Sequence, residues 1–324
     1  MGLNKRYKNP HIKGIKRSPF HFAAWFLGFY KDKTKTKQIP GDFTYPIPKV
    51  SDSKADKATF IGHCTYLIES LGCTILTDPI WSKRCSPLSF MGPSRKHNPH
   101  IEIEDIKNVD FVLISHNHYD HLDLPSVRRI YQKFPKVTFI VPMGLKNWFI
   151  KRGIERVVEL DWWQQVSFCE NKNAPIIEIT ATPAQHHSGR GIFDANKSLW
   201  AGFIVKISDR QTSKCFYFAG DTAYNRHDFK QIGSRFRQID LSICPIGTYV
   251  PKKFMETVHL SPFGAVCIHQ DIKAKLSVGM HWGTFCLSEE LLCAPPYDLY
   301  QEMQKEKLDI STFLPIPPGS AVNW

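Results

Sequence analysis

The chain lacks the signals of several common classes. No apolar run reaches the roughly 20 residues needed to cross a bilayer, so a transmembrane helix is not expected. Its nine cysteines stand singly, with no C-x-x-C pair and an odd total. That excludes a cysteine zinc knuckle and a paired disulfide framework, and suits free thiols in a reducing compartment. Cys64, Cys215, Cys244 and Cys267 fall in strand-like or helix-like patterns and are expected as small core residues. There is no G-x-S-x-G elbow, so a serine nucleophile of that type has no seat. No internal repeat is present. Acidic residues are scarce at the amino terminus: residues 1 to 38 hold ten Lys/Arg against Asp32 alone, a local +9 that leaves +3 of the total +12 for everything after. A general nucleic-acid binder would spread its cations over the domain; here they cluster in one arm, and no specific nucleic acid is expected.

Within that arm lies PFHFAAWFLGFY, residues 19 to 30, twelve residues without a formal charge. It is too short to span a bilayer and too aromatic for a signal peptide, and Tyr30-Lys31-Asp32 is no small-residue cleavage site. Two readings remain: an interfacial segment with lysines meeting anionic head groups, or a helix packed on the domain with a solvated basic rim. The division expected is therefore 1–45 as a basic, aromatic arm and 46–324 as the main domain. With 42% AVILMFWYC the chain has ample material for one large core.

What is present in abundance is histidine, concentrated in one place. SHNHYDHLD, residues 115 to 123, puts His116, His118, Asp120 and His121 within six positions. The preceding NVDFVLI (108–114) reads as a buried strand. Asp123 can then cap a helix with Pro125 in its first turn and Val127, Ile130, Tyr131 and Phe134 at helical spacing. A strand-to-helix loop at the carboxyl end of a strand is where layered α/β folds bind ligands. Imidazoles with a carboxylate suit zinc or a similar divalent ion.

One loop cannot complete two coordination shells. Three further segments have the same layout, an apolar strand ending at a ligand-type residue in a turn of small residues. They are ATPAQHHSGR with His186 and His187, FYFAGDTAY with Asp221, and LSVGMHWGT with His281. This series of H-x-H-x-D-H, lone histidine, G-D-T aspartate and late histidine resembles the metallo-β-lactamase superfamily. The blocks TDPIWSKRCSP, MGPSR, VLISHNHYDHLD, ELDWW, TPAQH, FAGDTAY, PIGTY and MHWGTF, in that order, are similar to the N-acylphosphatidylethanolamine-hydrolysing phospholipase D family over residues 57 to 290.

The resemblance implies a four-layer αββα sandwich, an α/β fold. It implies two Zn2+ ions per chain, one held by His116, His118 and His186, the other by Asp120, His121 and His281, with Asp221 bridging. Coordination can lower the pKa of a water from 15.7 to about 7, so water itself would be the nucleophile on phosphorus. Asp120 and His259 are the implied catalytic residues, His259 on the phosphate or the departing alkoxide. Animal members carry a glutamine before that histidine, where this chain has Val258. Tyr119, His187, Tyr249 and Trp282 flank the motifs as candidate substrate contacts. His63 and Asp78 are expected behind the ligands, fixing their orientation.

The activity implied is phospholipase D cleavage of N-acylphosphatidylethanolamine to phosphatidic acid and an N-acylethanolamine. The alternatives are a lactone or nucleic-acid phosphodiester at the same metals, or a lipid-binding protein with a vestigial site. The expected partners are the N-acyl phospholipid and an anionic membrane surface, with a homodimer as an option. The expected location is cytoplasmic and peripherally membrane-associated, without a cleavable signal peptide.

Overall fold

A computed structural model describes residues 6–12, 39–41, 43–45, 56–171, 173–191 and 193–324. The apolar segment 19–30 lies outside the described residues.

Among the described residues, fourteen strands form two sheets of seven. The first comprises β1 (Lys57–Gly62), β2 (Thr65–Ser70), β3 (Cys73–Thr77), β4 (Phe111–Leu113), β5 (Thr138–Pro142), β6 (Val157–Leu160) and β14 (Ala321–Asn323), in the order β14-β1-β2-β3-β4-β5-β6. The second comprises β7 (Gln165–Phe168), β8 (Ile176–Thr182), β9 (Gly202–Ser208), β10 (Ser213–Phe218), β11 (Leu241–Pro245), β12 (Leu276–Met280) and β13 (Phe313–Leu314), in the order β13-β12-β11-β10-β9-β8-β7. The helices are α1 (Leu124–Lys133), α2 (Lys146–Ile150), α3 (Arg226–Arg235), α4 (Lys252–Met255), α5 (Pro262–Ile272) and α6 (Ala294–Lys305).

The strand sequences explain the layering. In the first sheet Phe60, Ile68, Ile75, Leu113 and Ile140 point into the core between the sheets, where they meet Ile179, Phe203, Val205, Phe218 and Ile243 of the second. Their neighbours Ile61, Leu67, Leu76, Val112 and Phe139 point the other way, onto Val127 and Ile130 of α1 and Phe149 of α2. Strands covered on both faces read as continuous apolar runs rather than alternating ones. On the far side, Ala265, Ile268 and Ile272 of α5 and Leu299 of α6 cover the second sheet. The result is the αββα sandwich.

Local expectations hold with small shifts. Asp123 caps α1, its carboxylate accepting from Ser126 N at 3.2 Å, with Pro125 in the first turn. The strand in NVDFVLI is shorter than its apolar content suggests, running Phe111–Leu113, with the Asp110 carboxylate just before it accepting from Thr74 N at 2.8 Å. Cys64 is buried in the turn between β1 and β2, not in a strand, and Cys267 is only half-buried.

His269 on α5 is buried, its Nδ1 2.8 Å from Ser277 Oγ on β12. Burial pushes its pKa down to about 4, so the folded chain keeps it neutral where the unfolded chain would take up a proton near pH 6.5. The stability it supports is complete above that pH and is lost as pH falls from about 6.5 towards 4, by up to roughly 3 kcal/mol. A His269→Gln variant should show a flatter loss over that window than wild type, measured as urea unfolding midpoints at pH 7 and pH 4.5.

Candidate metal centre

Four loops reach the same end of the sandwich, each leaving the carboxyl end of a strand: 114–123 after β4, 183–190 after β8, 219–225 after β10 and the turn after β12. The first is folded by its own backbone, with Leu122 N donating to His118 O at 2.8 Å and His121 N to the same oxygen at 3.2 Å. That turn brings His118, Asp120 and His121 round to one side.

Two groups of ligand atoms result. His118 Nδ1 lies 2.7 Å from His116 Nε2 and 3.3 Å from His186 Nε2, so three ring nitrogens converge. Beside them Asp120, His121, Asp221 and His281 form the second group. His121 Nε2 is 3.3 Å from both Asp120 Oδ2 and Asp221 Oδ2, and His281 Nε2 is 3.2 Å from Asp221 Oδ2. Asp221 Oδ2 also lies 3.7 Å from His186 Nε2, which joins the groups.

The outward nitrogens are already engaged. His186 Nδ1 is 2.8 Å from the Val258 carbonyl, His281 Nδ1 2.9 Å from Thr248 Oγ1, and His116 Nδ1 2.9 Å from Ser115 Oγ. Asp78 Oδ2 holds His121 Nδ1 at 2.7 Å, and its other oxygen accepts from Ser115 N. His63 Nε2 sits 3.0 Å from Asp120 Oδ2. Such contacts orient ligand imidazoles and carboxylates. His63 and Asp78 thus stand behind the cluster as expected. Ser115, Thr248 and the Val258 carbonyl are additions that no residue-type pattern marks.

The inward atoms are left over. His121 Nε2, His281 Nε2 and Asp221 Oδ1 are buried without a hydrogen-bond partner; the charged contacts of the two imidazoles exist, but not in hydrogen-bond geometry. Buried polar atoms of this kind are rare in folded proteins. A divalent cation with nitrogen and oxygen ligands fits them, in donor type and in placement.

Electrostatics agree. Burial, reinforced by neighbouring imidazoles, holds His116 well below the usual histidine range, and burial does the same for His186, so both are neutral as ligands must be. Burial opposes ionisation of Asp221, yet His121 and His281 outweigh it and keep the carboxylate charged. Burial also opposes charge on His281, but Asp221 and Asp120 raise it to about 9. A cation entering here must displace such protons.

The backbone is strained to make this arrangement. His63, Asp78, Thr248 and His281 all have positive φ, between 30° and 67°. Each costs of order 1–3 kcal/mol for a residue with a side chain. Two glycines allow the closest approaches: a Cβ on Gly220 would stand 2.6 Å from Ser115 Cβ, and one on Gly247 would stand 2.1 Å from His281 O.

The remaining candidates divide. His259 Nδ1 is 3.6 Å from Asp221 Oδ2, on the open side of the cluster. His187 stacks edge-on to His118 at 4.6 Å, at the rim. Tyr119 lies under the Arg190 guanidinium, 3.8 Å from its ring centroid, and its hydroxyl donates to Arg190 O. Tyr249 lines a separate chamber next to His259. Trp282 is half-buried and packs against the core, its ring 6.4 Å from that of Phe60.

Residues 6–12, inside the expected arm, lie against this end of the domain. Asn9 Nδ2 donates to His186 O at 2.8 Å, Tyr7 N to Asn196 O at 2.8 Å, and His11 Nε2 pairs with Asp228 at 3.1 Å. This part of the arm therefore buttresses the loop that carries His186.

A family model described as a β-lactamase superfamily domain matches residues 73–282. The chain belongs to this superfamily. An N-acyl-phosphatidylethanolamine-hydrolysing phospholipase D from Caenorhabditis elegans is 38% identical over 269 residues, covering 81% of this chain and 74% of that one. A mitochondrial counterpart from Saccharomyces cerevisiae is 36% identical over 78% of this chain, which spans 51% of the yeast protein. Among solved structures, a metallo hydrolase from Ignicoccus hospitalis aligns with a TM-score of 0.58 at 20% identity, over 84% of this chain and 99% of that one, and shows the fold alone. Within the superfamily the chain falls in the N-acyl-phosphatidylethanolamine-hydrolysing phospholipase D family and is a metal-dependent hydrolase.

Asp78→Asn should weaken divalent-metal affinity by roughly 10- to 100-fold, the usual effect of losing a carboxylate behind a ligand histidine. Chelator competition on the purified protein measures it; unchanged affinity would show that His121 needs no such support.

Proposed function

We propose that this protein is a dinuclear zinc phosphodiesterase that hydrolyses N-acylphosphatidylethanolamine to phosphatidic acid and an N-acylethanolamine. The observation that carries the reading is the pair of ligand groups joined at Asp221 with His259 beside them. His116, His118 and His186 would hold one ion, Asp120, His121 and His281 the other, and Asp221 both. When bound, the ions supply Lewis acidity: they acidify water and stabilise negative charge on phosphoryl oxygens.

The chain's own groups do the rest. Although burial opposes ionisation, His121, His281 and His63 keep Asp120 charged, so its carboxylate can accept a proton from the attacking water. The water oxygen bonds to phosphorus, and the bond from phosphorus to the ethanolamine oxygen breaks. His259 supplies the departing alkoxide with a proton from Nε2, the ring nitrogen away from Asp221. Tyr119, with Arg190 across its ring, and His187, edge-on to His118, would offer further contacts to the substrate.

Approach from a membrane is supported by side chains on the neighbouring loops. Phe90 (76% exposed), Met91 and Phe193 (78%) stand out from the surface. The segment before Phe90 is tied to the histidine loop through Ser82 Oγ to Asp123, and that before Phe193 through Gly189 N to Asn117 Oδ1. Exposed aromatics beside a catalytic loop suit an interface with lipid. The basic arm would add attraction to anionic head groups.

Incubation with N-acylphosphatidylethanolamine, a lactone panel and RNA, with products identified by mass spectrometry, separates this reading from its alternatives. Elemental analysis after zinc supplementation should give close to two ions per chain; one or fewer rules out the dinuclear centre. Asp221→Asn should cost about 100-fold or more in turnover, since changes merely behind the ligands already cost up to that.

His259→Ala should lower turnover by roughly 10²–10⁴, the range for a lost general acid, with both ions retained. Loss of metal in that variant would instead place His259 among the ligands.

A further inference from the structure

Beyond His259 the cluster gives onto a second space. A chamber of about 670 Å³ is walled by Tyr224, Tyr249, Leu260 and Phe263, and His259 is the residue it shares with the metal cluster. Its size lies within the range of small-molecule sites, roughly 300–1,000 Å³. Its aromatic walls have their polar ends satisfied: Tyr249 OH donates to Asp298 Oδ2 at 2.5 Å and Tyr224 OH to Asp271 Oδ2 at 2.7 Å. Both rings are thus left to offer carbon surface. Phe263, in the first turn of α5, is 45% exposed. An exposed ring on a concave wall is surface that an apolar ligand would cover. Lys305 stands over that ring at 5.4 Å and pairs with Glu302 at 3.1 Å, a charged rim to an apolar wall.

We infer that this chamber receives the N-acyl chain of the leaving group, an inference that rests on the phospholipase D reading above. The group that protonates the departing oxygen must lie on the leaving-group side of phosphorus. His259 stands between Asp221 and the chamber, so the ethanolamine oxygen lies beside it. The amide and acyl chain attached to that oxygen continue into the chamber. The two glycerol-linked chains stay with phosphorus and lie outside the chamber. The chamber then selects on the N-acyl chain, while the glycerol chains remain in the lipid.

Phe263 is the residue to test, because its exposure means that replacing it does not empty the core. Phe263→Glu places a carboxylate on the path of the chain. It should lower the ratio of kcat/KM for N-palmitoyl over N-butanoyl phosphatidylethanolamine by roughly tenfold or more, and Phe263→Leu should keep that ratio within about twofold. An unchanged ratio in Phe263→Glu, with hydrolysis intact, overturns the assignment. Wild-type protein that cleaves no N-acyl phospholipid overturns the phospholipase D reading instead. The chamber is still decided in that case by photolabelling with N-palmitoylethanolamine carrying a diazirine near the chain end. Adducts at residues 249–263 support the chamber, and labelling elsewhere overturns it.

Discussion

One carboxylate oxygen organises this end of the protein. Asp221 Oδ2 lies within 3.7 Å of a ring nitrogen from each of His121, His186, His259 and His281, which come from four different loops. Those loops belong to both sheets, since β4 precedes one and β8, β11 and β12 precede the others. A buried carboxylate is costly unless charge and hydrogen bonds compensate it. Here the compensation comes from His121 and His281, while His116 and His186 are neutral and add lone pairs rather than charge. The cluster is thus a set of donors whose balance is completed by cations. Packing of the two sheets sets the spacing of the donors, so the core and the site share one geometry.

The strain around the cluster follows from the same requirement. His63 and His281 are both left-handed, their backbones are joined through His281 N to His63 O at 2.7 Å, and their rings lie 4.2 Å apart. A left-handed residue at a strand end turns its side chain sharply out of the sheet direction. That lets β12 end with an imidazole aimed at Asp221, and the β1–β2 turn present His63 to Asp120. Neither conformation is favoured by local preference. The burial of roughly seventy apolar side chains among the described residues holds such sites in place.

How much of this was legible in the sequence depends on the kind of information each residue carries. The candidate ligand positions are visible because metal chemistry restricts residue type: His116, His118, Asp120, His121, His186, Asp221 and His281 each sit where a strand-like run ends, and the structure brings all seven side chains together. The α/β class and the cap at Asp123 were visible for similar local reasons. The supports were not. Ser115 and Thr248 act through one hydroxyl, Val258 and Asn9 through a backbone carbonyl or a remote amide, and nothing in their residue types distinguishes them from ordinary loop residues. Trp282 shows the opposite limit. Adjacency to His281 makes it a candidate contact, while its half-buried indole packs against the core beside Phe60.

The amino-terminal segment shows why sequence distance misleads about energetic distance. Residues 6–12 precede the matched domain by about fifty positions, yet Asn9 reaches the carbonyl of His186 itself, whose ring nitrogens hold Val258 O on one side and face the cluster on the other. His11 adds a stacked contact on His227 at 4.6 Å, next to Asp228 at the start of α3. The segment thereby bridges the loop after β8 and the helix that follows the Asp221 turn. Charge alone would have made this stretch a solvated arm. Its hydrogen bonds instead make it a brace between two of the loops that must stay in register for His186 and Asp221 to meet. Any attraction of the adjoining basic residues to a lipid surface would therefore act on chain already fastened at the metal centre.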